Sequence, residues 1–148
     1  MSEIFTLSIA CVSGMYLTED YSFVQNVSTD YTLGELASDI LAMAKFDGDH
    51  MAEFYVANGP RGKKTRLTAD GEWDGDDSAM WELPLSGIFP LAKHKKLFYI
   101  YDFGASWIFE IRKKGKATLP VAGLKYPYLV SEEGTRPVEY GDPDGDSW

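Results

Sequence analysis

The amino-acid sequence predicts an α+β domain that is β-grasp-like, with a mainly antiparallel sheet and one principal helix, Thr32–Ala44. Three observations carry this. First, Lys96–Lys113 reads KLFYIYDFGASWIFEIRK. Its runs Leu97–Tyr101 and Trp107–Ile111 are dense in β-branched and aromatic residues and flank a short corner at Gly104, the pattern of strand–turn–strand. Second, the strongest helix signal of the chain lies at Thr32–Ala44. Third, the first elements run strand–strand–helix–strand, the opening order of a β-grasp sheet.

Taken in order, Ile4–Val12 sets Phe5, Leu7, Ile9 and Cys11 on one side and Thr6, Ser8 and Ala10 on the other, the period of a half-buried strand. Ser13-Gly14 and Glu19-Asp20 bracket a loop. Tyr21–Val27 then reads as the second strand of a hairpin, with Tyr21, Phe23 and Val27 on one face. Thr32 followed by Glu35 is a capping box, and Tyr31 and Leu36 are spaced for a hydrophobic staple. Leu33, Leu36, Ala37, Ile40, Leu41 and Ala44 form an apolar stripe that predicts packing on a sheet. Asp47-Gly48 is the expected stop, and Gly34 in the first turn costs little.

Met51–Val56 reads as a third strand, Asn58–Gly62 as a turn and Lys64–Leu67 as a short fourth strand. Thr68–Trp81, rich in Gly and Asp, reads as a surface loop, and Glu82–Leu91 as at most one helical turn between Pro84 and Pro90. After the hairpin, Lys113-Lys114-Gly115-Lys116 turns the chain. Beyond Pro120 the expectation is an irregular acidic C-terminal tail.

The 148 residues fit one domain, 1–148, and can bury a sizeable core. With 45% apolar and 14% aromatic residues, disorder of the whole chain is excluded. No apolar run reaches the ~20 residues of a membrane-spanning helix. The first basic residue is Lys45, which argues against an N-terminal signal peptide. A lone cysteine, Cys11, allows no internal disulfide. A cytoplasmic protein with no membrane partner is the expectation. The net charge is −9, which disfavours nucleic acid as a partner. Basic residues nevertheless cluster at Arg61–Arg66, Lys93–Lys96 and Arg112–Lys116, so a local basic face on an acidic protein is compatible with the sequence.

The run Tyr99-Ile100-Tyr101-Asp102-Phe103-Gly104, continued by Trp107, is followed by Tyr126-Pro127, Glu132-Glu133-Gly134 and Arg136-Pro137-Val138-Glu139. This resembles the plasmid pRiA4b Orf-3-like family, small proteins of plasmids, insertion elements and many bacterial and archaeal genomes. Members carry a Y-x-Y-D-F-G-D-x-W-x-H core and then an acidic Y-P…G-E-G…P-P-E-D-C-G-G stretch. The likeness is clearest over residues 96–142. It implies a β-grasp-like α+β fold, a mobile-element association and no assigned biochemistry. The chain reads as a divergent member: the family's Asp is Ala105, its His is Phe109, and its Cys-Gly-Gly is Tyr140-Gly141-Asp142. These are polar positions at which a metal or catalytic cluster would be sought.

Asp102-Phe103-Gly104 is no kinase signature, because the chain lacks the Gly-rich loop and the His-Arg-Asp loop. Gly104 reads as permitting the turn and Asp102 as capping it. Asp70–Gly75 has the first half of a calcium loop, but its twelfth position is Trp81. Asp142, Asp144 and Asp146 read likewise as solvated acids. His50 and His94 lack zinc spacing, so no metal and no cofactor is expected. Cys11 reads as a buried thiol, and no catalytic set is assigned. Trp73 and Trp81 are candidate binding aromatics of an exposed loop. Trp107 reads as core.

The corner and the tail are both family motifs joined by a Lys-rich turn. They are therefore expected together, with Asp102, Trp107, Tyr126, Glu132 and Glu139 around one depression. Arg136 is expected to engage one of these acids by a bidentate contact, making a structural lock or a binding site. The leading functional expectation is a non-enzymatic protein- or peptide-binding module, accessory to a plasmid or transposable element. The alternative is a divalent-cation-dependent hydrolase or nucleic-acid-processing enzyme built on Asp102, Glu132, Glu133 and Glu139. Three carboxylates converging on one point would favour the alternative.

Overall fold

The computed structural model describes residues 3–63, 65–66 and 77–139. Its elements are β1 (Ile4–Ser13), β2 (Tyr21–Ser28), α1 (Leu33–Ala44), β3 (Ala52–Ala57), β4 (Thr65–Arg66), two 3-10 turns (Asp77–Glu82 and Leu85–Gly87), β5 (Lys96–Tyr101), β6 (Trp107–Lys113) and β7 (Tyr128–Gly134). The strands form a seven-stranded sheet in the order β4-β3-β5-β6-β1-β2-β7. Each of its pairings is antiparallel. The class is α+β, an antiparallel sheet with one principal helix. No helix among the described residues is long and apolar enough to cross a membrane.

The helix begins where its capping box dictates. Thr32 Oγ1 accepts the Glu35 N–H at 3.2 Å, and Glu35 Oε1 accepts the Thr32 N–H at 3.0 Å. Such a cap contributes about 1 kcal/mol. The helix stops at Lys45, whose left-handed conformation (φ 62°) closes the last turn, two residues earlier than Asp47-Gly48 suggests. That turn drops Phe46 into the core against Trp107 and Tyr101. Leu33, Leu36 and Ile40 are buried on the same core as Leu7, Ile9 and Phe23.

Glu82–Leu91 is more ordered than its sequence suggests. Its backbone is tied to the start of α1: Leu33 N–H donates to Leu83 O, and Leu85 N–H donates to Tyr31 O. Gly34 lets this segment lie close on the helix: a Cβ there would sit 3.0 Å from the Trp81 carbonyl oxygen, a tight contact.

Strands β5 and β6 are buried on both faces, an unusual state for antiparallel strands. Tyr99, Tyr101, Trp107 and Phe109 face the main core. Phe98, Ile100 and Ile108 join Tyr55 and Ala57 in a smaller cluster. The irregularity between Cys11 and Ser13 brings Gly14 onto Trp107, where a Cβ would lie 2.1 Å from the indole. Burial pushes the Cys11 thiol up to about 12, leaving it inert.

The tail departs from the irregular chain expected of it. Tyr128–Gly134 is a strand that pairs with β2 at the sheet edge, with all seven residues exposed. A strand with neither face buried has no hydrophobic alternation to show in its sequence.

Candidate functional site

The β5–β6 corner is set by backbone geometry. Asp102 has φ 61° and Ser106 φ 55°. The Asp102 N–H donates to Met51 O at 2.9 Å, and its carbonyl accepts the Ser106 N–H at 2.7 Å. Asp102 Oδ1 accepts the Ala105 N–H at 3.3 Å, the capping role read from the sequence. Its second oxygen points at another segment.

That segment is the exit from α1. The Tyr101 hydroxyl, on a buried side chain, accepts the N–H groups of Gly48 (2.8 Å) and Asp49 (3.2 Å). It donates to Glu139 Oε2 at 2.9 Å, while Glu139 Oε1 accepts the Asp47 N–H at 2.7 Å. Glu139 is only 6% exposed, so its partners are what make its burial tolerable. Burial, and then the carboxylate, push the Tyr101 hydroxyl up to about 12.

His50 projects between these groups. Its Nε2 lies 3.5 Å from Asp49 Oδ1, 3.7 Å from Asp102 Oδ2 and 3.7 Å from Glu139 Oε2. One ligand atom each from Asp49, His50 and Glu139 lies within 4.8 Å of the others. Imidazole nitrogen with carboxylate oxygens is a donor set that transition-metal dications accept.

The six residues expected in one depression divide. Asp102 and Glu139 do meet, through His50. Glu132 and Arg136 make a separate pair: Arg136 Nε and Nη2 donate to Glu132 Oε2 and Oε1 at 2.9 and 3.3 Å. The Tyr21 hydroxyl also donates to Glu132 Oε2 at 2.5 Å. This bond first, and then Arg136, holds the Glu132 carboxyl below its ordinary range. Arg136 also forms part of the wall of a cleft of about 500 Å³ with Tyr16, Glu19 and Val138.

Tyr126 is apart from both pairs, its hydroxyl accepting the nearby Val121 N–H at 3.0 Å. Trp107 is wholly buried and lines no surface. Trp81 is not in an exposed loop: it is half-buried on a 3-10 turn, edge-on to Phe54 at 5.8 Å. Its apolar ring finds the core, as the neighbouring Met80 does. Trp73, Tyr140, Asp142, Asp144 and Asp146 lie outside the described residues. Sequence reasoning missed His50, Asp49 and Tyr101 as a group. No spacing signals them, because three remote segments supply the cluster. Ala105 and Phe109 are buried, with Phe109 packed on Phe46 and Tyr99.

A second region is the outer edge of β7. Tyr128, Leu129 and Val130 are 41%, 45% and 49% exposed, and Leu119, Val121 and Leu124 before them are exposed too. Between β7 and α1 runs a groove of about 180 Å³ lined by Gln25, Asp39, Ala42, Met43, Pro127 and Leu129.

Fold and surfaces together define a small α+β domain: one sheet, one principal helix, an open strand edge and an acid–histidine cluster. A family model described as "Plasmid pRiA4b ORF-3-like protein" matches residues 25–145, and the chain belongs to that family. Among solved structures, a protein of unknown function from Methanosarcina mazei Go1 is similar, with a TM-score of 0.67 and 24% identity. That match covers 89% of this chain and 70% of the other, and at this identity it speaks to the fold. A comparison with curated proteins gave no match.

Proposed function

We propose that this chain is a non-enzymatic module of the cytoplasm that binds an extended peptide or protein segment along β7. The observation that carries the reading is the strand β7: seven residues, all exposed, with no partner beyond β2 among the described residues. Such an edge offers a row of backbone donors and acceptors and invites strand addition. The groove beside α1 would receive alternate side chains of the added strand. Exposed Leu129 and Val130 favour apolar residues in the partner. Asp39 in the groove and Glu133 on the strand favour Lys or Arg. The net charge of −9 supports a basic peptide over nucleic acid. An accessory role at a plasmid or transposable element rests on the family alone, and the β-grasp likeness on the β1-β2-α1-β3 opening.

Selection from a displayed random-peptide library tests this. Extended apolar–basic sequences are expected, with binding abolished by Val130→Pro and kept by His50→Ala. Binders indifferent to Val130→Pro, or a dimer formed through β7 in place of peptide binding, would refute it.

One observation favours the cation-dependent hydrolase as a second reading: Asp49, Asp102 and Glu139 all reach His50 Nε2. Saturable Mn²⁺ binding lost in His50→Ala, with metal-dependent phosphodiester cleavage, would establish it. Silence in both assays removes it.

A further inference from the structure

At the end of the β5–β6 hairpin opposite the corner, the sheet surface is basic. The register pairs Leu97 with Ile111, which brings Lys95 and Lys96 beside Arg112 and Lys113. Two basic clusters distant in sequence thus become one. They surround a cleft of about 340 Å³ whose accessible apolar walls are Pro90 and Leu91, a volume within the range of small-molecule sites.

The charges in this cleft are unevenly used. Arg112 is engaged by Glu110. Lys113 Nζ donates to Gly115 O at 2.8 Å and lies 5.7 Å from the Phe5 ring centroid. Neither Lys95 nor Lys96 has a carboxylate partner among the described residues. On a chain carrying 23 acids against 14 bases, acids are plentiful, yet this concavity gathers four cations around apolar walls. Like charges crowded in one cleft repel, and a bound anion relieves that repulsion while the cleft concentrates the field on it.

We propose that this cleft binds a small organic anion: a phosphate or carboxylate head carried on an apolar or aromatic body. The head lies among Lys95, Lys96 and Arg112, and the body packs on Pro90 and Leu91, the lining apolar residues that keep accessible surface. The site is independent of the β7 edge. Charge complementarity supplies the choice of ligand, because a neutral apolar molecule leaves the lysines unpaired and a bare inorganic anion leaves the apolar walls wet.

The test is a titration of the full chain with 1-naphthyl phosphate, followed by amide chemical shifts. Saturable shifts are expected at Lys95, Lys96 and Ile111–Lys113. Inorganic phosphate and 1-naphthol should each bind about tenfold or more weaker. The double variant Lys95→Gln/Lys96→Gln should lose affinity for 1-naphthyl phosphate by a similar factor, with its remaining spectrum unchanged. No saturable shift, shifts centred on β7 or the 500 Å³ cleft, equal binding of 1-naphthol, or an unaffected double variant would each overturn the proposal.

Discussion

The two ends of the β5–β6 hairpin are electrostatic opposites. At the corner, His50 draws in Asp49, Asp102 and Glu139. At the open end, Lys95 and Lys96 meet Arg112 and Lys113 around a cleft. Between them the strands are buried on both faces and apolar except for Glu110, which is paired with Arg112 at the basic end. The acidic end is knitted: each Glu139 oxygen is bonded, and Tyr101 ties the α1 exit to the tail. The basic end is open, with two lysines lacking an acid among the described residues. Both ends carry charge, but the first spends it on structure and the second leaves it available. A net charge of −9 describes neither.

The comparison depends on the ladder that joins the ends, and breaking that ladder should have the largest effect. Phe109 is wholly buried opposite Tyr99. Phe109→Ala is expected to cost about 3–5 kcal/mol, read as a fall in the urea midpoint at constant slope. A midpoint that stays put would mean the hairpin centre is not what couples its ends.

Next is the knitted end alone. Glu139→Ala strands the Asp47 N–H and the Tyr101 hydroxyl in a buried site, for a loss of about 1–3 kcal/mol. Equilibrium unfolding measures it, and no loss would make the acidic end as loose as the basic one.

The knitted end should also fail in alkali. Tyr101 is raised to about 12 by burial and then by Glu139, above the value of about 10 for an unfolded tyrosine. The folded state therefore holds the phenol proton more tightly. Its contribution is whole below about pH 10 and is lost as pH rises from there towards 12. Tyr21 and Tyr55, also raised to about 12, act in the same window. Stability measured from pH 9 to 12 should fall as phenolate absorbance rises, and a flat profile would contradict the burial argument.

The smallest effect should come from the open end. Lys95→Gln/Lys96→Gln removes charges with no carboxylate partner among the described residues, so stability should move by no more than about 0.5 kcal/mol. A loss comparable to that of Glu139→Ala would show the lysines to be structural, erasing the contrast.

What was legible in the sequence follows from range. The capping box at Thr32 and Glu35 is a contact across three residues, and the helix start was read from it directly. The β5–β6 strands were legible because their propensity is dense and their turn short. The role of Asp102 as a turn cap was legible for the same reason. β7 was not: its glutamates and exposed apolar residues follow no period, and only the free edge of β2 makes them a strand. His50 was not, because its carboxylates arrive from the α1 exit, the hairpin corner and the tail. The expected six-residue depression failed by one strand's width. Glu132 lies within β7 and is drawn to Tyr21 on β2, while Glu139, beyond the strand's end, reaches the corner.

The bond from Asp47 N–H to Glu139 spans 92 residues of chain. While the protein is being synthesised, the α1 exit can fold into shape only after Glu139 has left the ribosome. The capped helix and the β1–β2 hairpin can form earlier from local contacts, but the turn bearing His50 must wait. Contacts of such long range are slow to close, so the acid–histidine cluster assembles later than the locally closed elements. Its formation therefore reports that the chain has been made and folded through Glu139.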